Sequence, residues 1–269
     1  MNNTFDLNRF LLQLKRQWLD FGKIYLGTLV VLIGLLSALY LYFMPSRGSN
    51  LYYYNNSVLI LSFRYGLFFF FGFFFISIIA SSYYSNLGQK PKAIIELMTP
   101  ASTFEKFLAG IWYTAIVAIP SYLLVFYIVD VAFVKYLNSI LPELSATIDK
   151  KLAIKPVDTL YAQVMGDEND WHNVKYFGMF PFLVTSTFLL GSAYFNRFHY
   201  IKTAIVVIVF CTLAGFTVFK TGNILMKDMV NTSVASKDEM VLQWVIATTT
   251  LTTLALLFIT YIRLKEKEV

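Results

Sequence analysis

The chain has 269 residues, 57% of them apolar and only 14% charged, with 22 basic against 16 acidic side chains and a net charge of +6. Soluble domains run at about 45–50% apolar and about 25% charged, so these proportions argue against a soluble enzyme, a disordered chain or a secreted disulfide scaffold. The basic residues flank apolar runs instead of clustering with exposed aromatics, so the positive balance reads as membrane topology and not as nucleic-acid binding.

The first recognisable element is Phe5–Asp20. Leu7, Phe10, Leu11, Leu14 and Trp18 recur at helical spacing, with Arg9, Lys15 and Arg16 off that face. This predicts an amphipathic helix lying at the membrane interface, with Phe10, Leu14 and Trp18 on its apolar side. The alternative is a cytoplasmic extension of the first span. No small-residue cleavage site follows the first apolar run, which ends in bulky Tyr40-Leu41-Tyr42-Phe43-Met44, so it is read as a span and not as a removed leader.

Six runs are long and apolar enough to cross a bilayer: Ile24–Met44, Val58–Ala80, Phe107–Val134, Tyr176–Phe195, Thr203–Phe219 and Val241–Ile262. They are continuous and do not alternate, which favours helices over a closed barrel. The expected fold is an all-α membrane protein of six transmembrane helices with an N-terminal interfacial amphipathic helix. Residues 1–23 form the N-terminal interfacial and cytoplasmic segment, and residues 24–269 the six-span domain. Basic residues such as Lys23, Lys90, Lys92, Lys106 and Arg197 place both termini inside. The segment 135–175 is then a long outer loop, within which Val134–Leu141 and Leu160–Met165 are candidate short amphipathic helices.

Two charges fall inside predicted spans, Arg64 in the second and Asp130 in the third. An intramembrane charge needs a partner or a route to the headgroups. Their similar depth on consecutive spans predicts that they approach each other, and the alternative is that each snorkels to the outer surface. The run from Phe68 to Phe75 around Gly72 reads mainly as packing or lipid contact, with an apolar substrate path as the functional alternative. Cys211 lies in an apolar run and reads as a small buried hydrophobe. His172 and His199 fall on opposite sides of the membrane and cannot share a metal.

The stretch between the second and third spans carries the most information. Pro91 can open a helix, Ile94, Ile95, Leu97 and Met98 give it an apolar side, and Thr99-Pro100 ends it. Ser102-x-x-Glu105 is a capping box that launches the third span at a fixed angle. Such a short helix between two spans suits the passage of force from a soluble partner into the membrane.

The run Glu96-Leu97-Met98-Thr99-Pro100-Ala101-Ser102-x-x-Glu105-Lys106-Phe107-Leu108 resembles the LxLPASxxEKFL segment found after the second span in one branch of the ABC-2 type transporter permeases. Thr99 stands where that branch commonly has Leu. The resemblance implies a permease subunit of an ATP-driven transporter, an exporter in a bacterial inner membrane, paired with a second permease subunit. It also implies a separate ATPase subunit that contacts Pro91 to Glu105, chiefly Pro91, Ile94, Ile95, Leu97, Met98, Ser102 and Glu105. No G-x-x-x-x-G-K-[ST] occurs, so ATP and Mg would be bound by that partner and no catalytic, cofactor or metal residues are assigned to this chain. A non-transporting membrane scaffold or assembly factor is the alternative reading.

Overall fold

The computed structural model describes residues 5–44, 54–55, 58–59, 61–88, 94, 98–148, 156–166, 177–225 and 235–268. It is overwhelmingly helical. In chain order the helices are α1 (Leu7–Tyr42), α2 (Phe63–Tyr83), α3 (Thr103–Ile111), α4 (Ala118–Ile148), α5 (Leu160–Gly166), α6 (Phe180–Tyr194), α7 (His199–Leu225) and α8 (Ala235–Glu268). A two-residue antiparallel ladder pairs β1 (Tyr54–Asn55) with β2 (Val58–Leu59). Among the described residues five segments are long and apolar enough to cross a membrane: Leu7–Tyr42, Phe63–Leu87, Thr103–Pro142, His199–Thr221 and Gln243–Lys267. α6 is apolar but shorter, its 15 residues rising about 22 Å.

Several boundaries differ from the sequence expectation. The N-terminal amphipathic segment and the first apolar run form one unbroken helix, with no break at residues 20–24. Gly22 is the only helix-weakening residue there, and one glycine costs a helix about 1 kcal/mol without stopping it. The first turns of α1 bury both apolar and polar side chains. Phe10 and Leu14 are buried, but so are Gln13 and Gln17, while Leu7, Leu11 and Trp18 are exposed. The second span starts at Phe63 and not at Val58, because Val58 and Leu59 belong to the ladder. Beyond Val134 the helix continues through the expected loop start to Ile148. The Val134–Leu141 segment is therefore part of α4, whereas Leu160–Met165 does form its own short helix.

α3 and α4 are joined by a π-helical segment, Trp112–Val117. Pro120 explains its position. A proline supplies no N–H to the carbonyl four residues back, here Ile116, and its ring presses on that carbonyl. A π-bulge absorbs both defects without ending the helix.

The chain divides into two compact units, the first built from three stretches and the second from two. The first comprises Met1–Arg16, Ile76–Ala115 and Gly178–Val269. Within it α6 packs against α7 and α8, and α8 reaches α3. The buried side of α6 is rich in small residues, Thr185, Ser186, Gly191, Ser192 and Ala193, which let helices approach closely where no hydrophobic driving force exists between them. The buried hydroxyls find partners in their own helix, Thr185 with Pro181 O at 2.8 Å and Ser192 with Leu189 O at 2.7 Å. The threonine-rich α8 uses the same device: Thr250 donates to Ile246 O and Thr253 to Thr249 O, each at 2.7 Å. Tyr261 of α8 sets its ring against Phe104 and Phe107, and Arg263 lies 5.1 Å over the Tyr194 ring.

Gly191 is the tightest point of that packing. A methyl group there would overlap Thr203 Oγ1 and stand 2.6 Å from its Cγ2. Thr203 is β-branched, buried, and bonded to His199 O at 2.7 Å, so it has little room to rotate away. Gly191→Val should cost roughly 1–3 kcal/mol through overpacking. The check is the unfolding temperature in detergent beside Gly215→Val, which has open space and should be near neutral.

α7 leaves most of its described surface uncovered by the rest of the chain. Cys211 accordingly is exposed and not buried as its apolar surroundings suggest. His199, at the start of α7, pairs its Nδ1 with Ser81 Oγ at 2.9 Å.

The second unit comprises Gln17–Phe75 and Ile116–Phe177. Its core is aromatic. Tyr40 packs its ring against Phe63, Phe126 and Phe133 at centroid distances of 5.8, 6.1 and 4.8 Å. Gly72 has a structural purpose here: a Cβ at that position would lie 2.8 Å from the Tyr122 ring. The ring rests against α2 because the side chain is missing, and its hydroxyl donates to Phe68 O at 2.5 Å.

Candidate functional site

Two polar constellations stand out, one in each unit. In the second unit Arg64, in the first turn of α2, meets Asp130 of α4. Arg64 Nε donates to Asp130 Oδ1 at 2.9 Å and Nη2 donates to Oδ2 at 2.8 Å, a bidentate pair. Both side chains are buried, at 1% and 0% exposure. The sequence expectation that these residues approach each other holds, and the alternative of separate snorkelling does not.

The pair also recruits neighbours that charge counting gives no means of finding. The Tyr40 hydroxyl donates to Asp130 Oδ1 at 3.0 Å, and the Leu160 N–H donates to Oδ2 at 2.7 Å. Asp130 thereby accepts four hydrogen bonds, as many as an ionised carboxylate has lone-pair sites for. Arg64 Nη1 donates to the Asp158 carbonyl at 3.0 Å. The ion pair therefore ties α1, α2 and α4 to the segment 156–166.

Asn138 holds the same segment by a second grip. Its side-chain amide donates to Val157 O at 3.0 Å and accepts from Val157 N–H at 2.9 Å, imitating a backbone pairing. Tyr161 sets its ring edge-on to Tyr127 with centroids 5.5 Å apart. Burial raises the proton affinity of the Tyr161 hydroxyl, and the Asp130 charge adds to this, so the phenol stays neutral. Beneath α5 lies a cavity of about 110 Å³ lined by Tyr65, Phe68, Phe69, Leu160, Tyr161, Val164 and Met165.

In the first unit Glu105 is the centre. Ser102 caps α3, its Oγ accepting from Glu105 N–H at 3.2 Å, and Glu105 Oε2 accepts from Ser102 N–H at 2.9 Å. This is the capping box expected from the sequence. The carboxylate is fully buried and takes up more than the cap. Arg9 of α1 grips it with Nε at 3.1 Å to both oxygens and Nη2 at 2.7 Å to Oε1, and the Asp6 N–H donates to Oε1 at 3.0 Å. Arg16 Nη1 bonds Thr99 Oγ1, and the Tyr113 hydroxyl donates to Leu14 O at 2.8 Å. The start of α1 is thus pinned to the turn and cap that open α3.

Of the residues expected to form a partner-binding helix, Pro91, Ile95 and Leu97 lie outside the described residues. Ile94 and Met98 are exposed, and the Met98 N–H donates to Ile94 O at 2.9 Å. Ser102 is half-buried and Glu105 buried, and both take part in the cap of α3. Arg9 and Arg16 are the residues sequence reasoning missed. Their position off the apolar face of α1 marks them as polar-side residues but does not say what they meet.

These features define a helical protein of the multi-pass membrane class, in which two buried carboxylates, Asp130 and Glu105, are each paired with an arginine. Among the described residues no group of His, Cys, Asp and Glu is arranged to hold a metal. No protein-family model, no curated protein and no solved structure matches the chain.

Proposed function

We propose that the chain is the membrane-spanning permease subunit of an ATP-driven transporter, powered by a separate ATPase subunit. In this reading it has six spans with both termini cytoplasmic, α6 serving as the fourth, and sits as a dimer in a bacterial inner membrane. Export is the expected direction. ATP and Mg bind to the partner, which docks at Ile94 and Met98.

The observation that carries the reading is the joint around Glu105. Exposed Ile94 and Met98 precede Thr99, which Arg16 holds, then Ser102, which caps α3, and Glu105, which Arg9 holds. A push at Ile94 and Met98 would reach α1 and α3 together, because a buried carboxylate with these partners cannot slide without losing several charge-assisted hydrogen bonds. Such coupling is what a permease driven by an external motor needs. The likeness of residues 96–108 to the ABC-2 permease segment adds to it.

The test is purification of the tagged chain from its native membranes with an assay for MgATP hydrolysis in the complex. Ile94→Asp and Met98→Asp should remove the ATPase activity from the purified material while leaving membrane yield unchanged. Retention of the ATPase by both variants, or its absence from the unmodified chain, would overturn the reading and leave a scaffold without transport.

A further inference from the structure

We propose that the cavity beneath α5 is a binding site for the end of a membrane lipid acyl chain, with α5 as the strap that closes over it. This does not rest on the transporter reading, since the cavity needs no ATPase to fill.

The lining is wholly apolar. A ligand held there receives no hydrogen bond and no charge, which rules out a headgroup, a sugar or a peptide backbone as the occupant. Water is equally unsuited, because a buried water needs two to four polar partners. At about 110 Å³ the space is somewhat smaller than the ~150 Å³ apolar cavity known to stay dry and take up benzene. That suits the last few methylenes of a linear chain and not a bulky ring system.

Exposure along the lining shows where such a chain would enter. Leu160, at the clamped start of α5, is 4% exposed and closes the inner end. Phe69 and Met165 are 37% and 65% exposed and form the rim. The rim is continuous with the outward apolar surface of α2, where Phe70 and Phe74 are also exposed. α2 is part of a segment apolar and long enough to cross a membrane, and a spanning α2 would set this rim against hydrocarbon. Acyl chains would then surround it at the concentration of a solvent, and dispersion contacts with the lining are enough to hold one end in place.

The strap is fixed where it begins. Asn138 holds Val157, Arg64 holds the Asp158 carbonyl and Asp130 holds the Leu160 N–H. The side chains that close the cavity, Tyr161, Val164 and Met165, follow directly on that anchored stretch. The ion pair therefore sets the height of the strap above α2, and with it the width of the site.

The experiment uses the full chain in nanodiscs containing phosphatidylcholine with a terminal diazirine on one acyl chain. After irradiation, adducts are mapped by peptide mass spectrometry. Labelling should concentrate at Tyr65–Phe69 and Leu160–Met165, at least threefold above the exposed α7 positions Phe210 and Leu213. Val164→Trp fills the cavity and should lower labelling at Tyr65–Phe69 at least threefold, with α7 labelling unchanged. Val164→Ala enlarges it and should raise the yield. Equal labelling of cavity and α7 peptides would overturn the proposal, as would unchanged labelling in a folded Val164→Trp protein. Should Val164→Trp fail to fold, the alanine variant decides, and no rise in its labelling counts against the site. ATPase co-purification should be unaffected by either variant, which separates this outcome from that of the transporter reading.

Discussion

Asp130→Ala is expected to destabilise the protein by about 3–5 kcal/mol, the usual cost of removing one partner from a buried ion pair. The arithmetic favours a large effect here. Arg64 is left with a charged group 1% exposed, no counter-ion, and no room to reach water without unpacking the first turn of α2. Tyr40 and the Leu160 N–H lose their acceptor at the same time. Arg64→Met combined with Asp130→Leu should recover most of that loss, because well-packed apolar replacements of a buried pair are often neutral or stabilising. The recovery should not extend to the segment 156–166. With Asp130 gone the Leu160 N–H has no carboxylate, and with Arg64 gone the Asp158 carbonyl has no donor. Thermal unfolding in detergent measures the first effect, and amide hydrogen exchange across residues 156–166 the second. An Asp130→Ala protein as stable as the unmodified chain would mean that the pair contributes nothing to the fold.

The general architecture is legible because its cause is local. Long apolar runs have to become helices when the surrounding medium offers no hydrogen bonds, so counting them finds most of the spans. The errors fall where local signals are equivocal. Val58 and Leu59 are apolar and adjoin the second span, but a short apolar run does not by itself distinguish strand from helix. Lys135 and Asn138 look like the beginning of a loop, yet polar residues do not end a helix that is still hydrogen-bonded, and Asn138 is used from within α4 to hold Val157. The join between the amphipathic segment and the first span contains only Gly22 as a breaker, too weak to interrupt α1.

The sites divide in the same way. The capping box is a four-residue pattern and is readable directly. The similar depth of Arg64 and Asp130 makes their pairing conceivable but leaves separate snorkelling to the headgroups equally open, and the bidentate contact decides between them. Their further partners are not readable. Tyr40 is one aromatic among 44 Phe and Tyr residues, 26 Phe and 18 Tyr, and nothing in its neighbourhood singles it out. Leu160 takes part through its backbone, which leaves no trace in residue type. Which side of α1 packs against the protein is also not readable. Hydrophobic periodicity marks an apolar face without saying whether protein or membrane meets it, and here Leu7 and Leu11 are exposed while Gln13 and Gln17 are buried.

Glu105→Ala should loosen the joint between α1 and α3 more than any single change around it. Ser102→Ala removes one N-terminal cap, which costs roughly 0.5–2 kcal/mol. Glu105→Ala removes the reciprocal half of the box, and also releases both Arg9 and the Asp6 N–H. Arg9 is partly exposed and can turn to solvent, so the change frees the helix start without stranding a buried charge. Glu105→Gln keeps an acceptor for the cap but loses the ion pair, and should fall between the two. The local readout is amide exchange at Asp6 and Ser102. The Glu105→Ala protein should exchange faster at both, Ser102→Ala should leave Asp6 nearly unchanged, and Arg9→Ala should leave Ser102 nearly unchanged. That pattern would identify Glu105 as the one group both halves of the joint depend on. Uniformly unaltered exchange at Asp6 in the Glu105→Ala protein would mean that α1 is held by its packing alone. Phe10 and Leu14, and the Tyr113 bond to Leu14 O, would then carry the connection between α1 and α3.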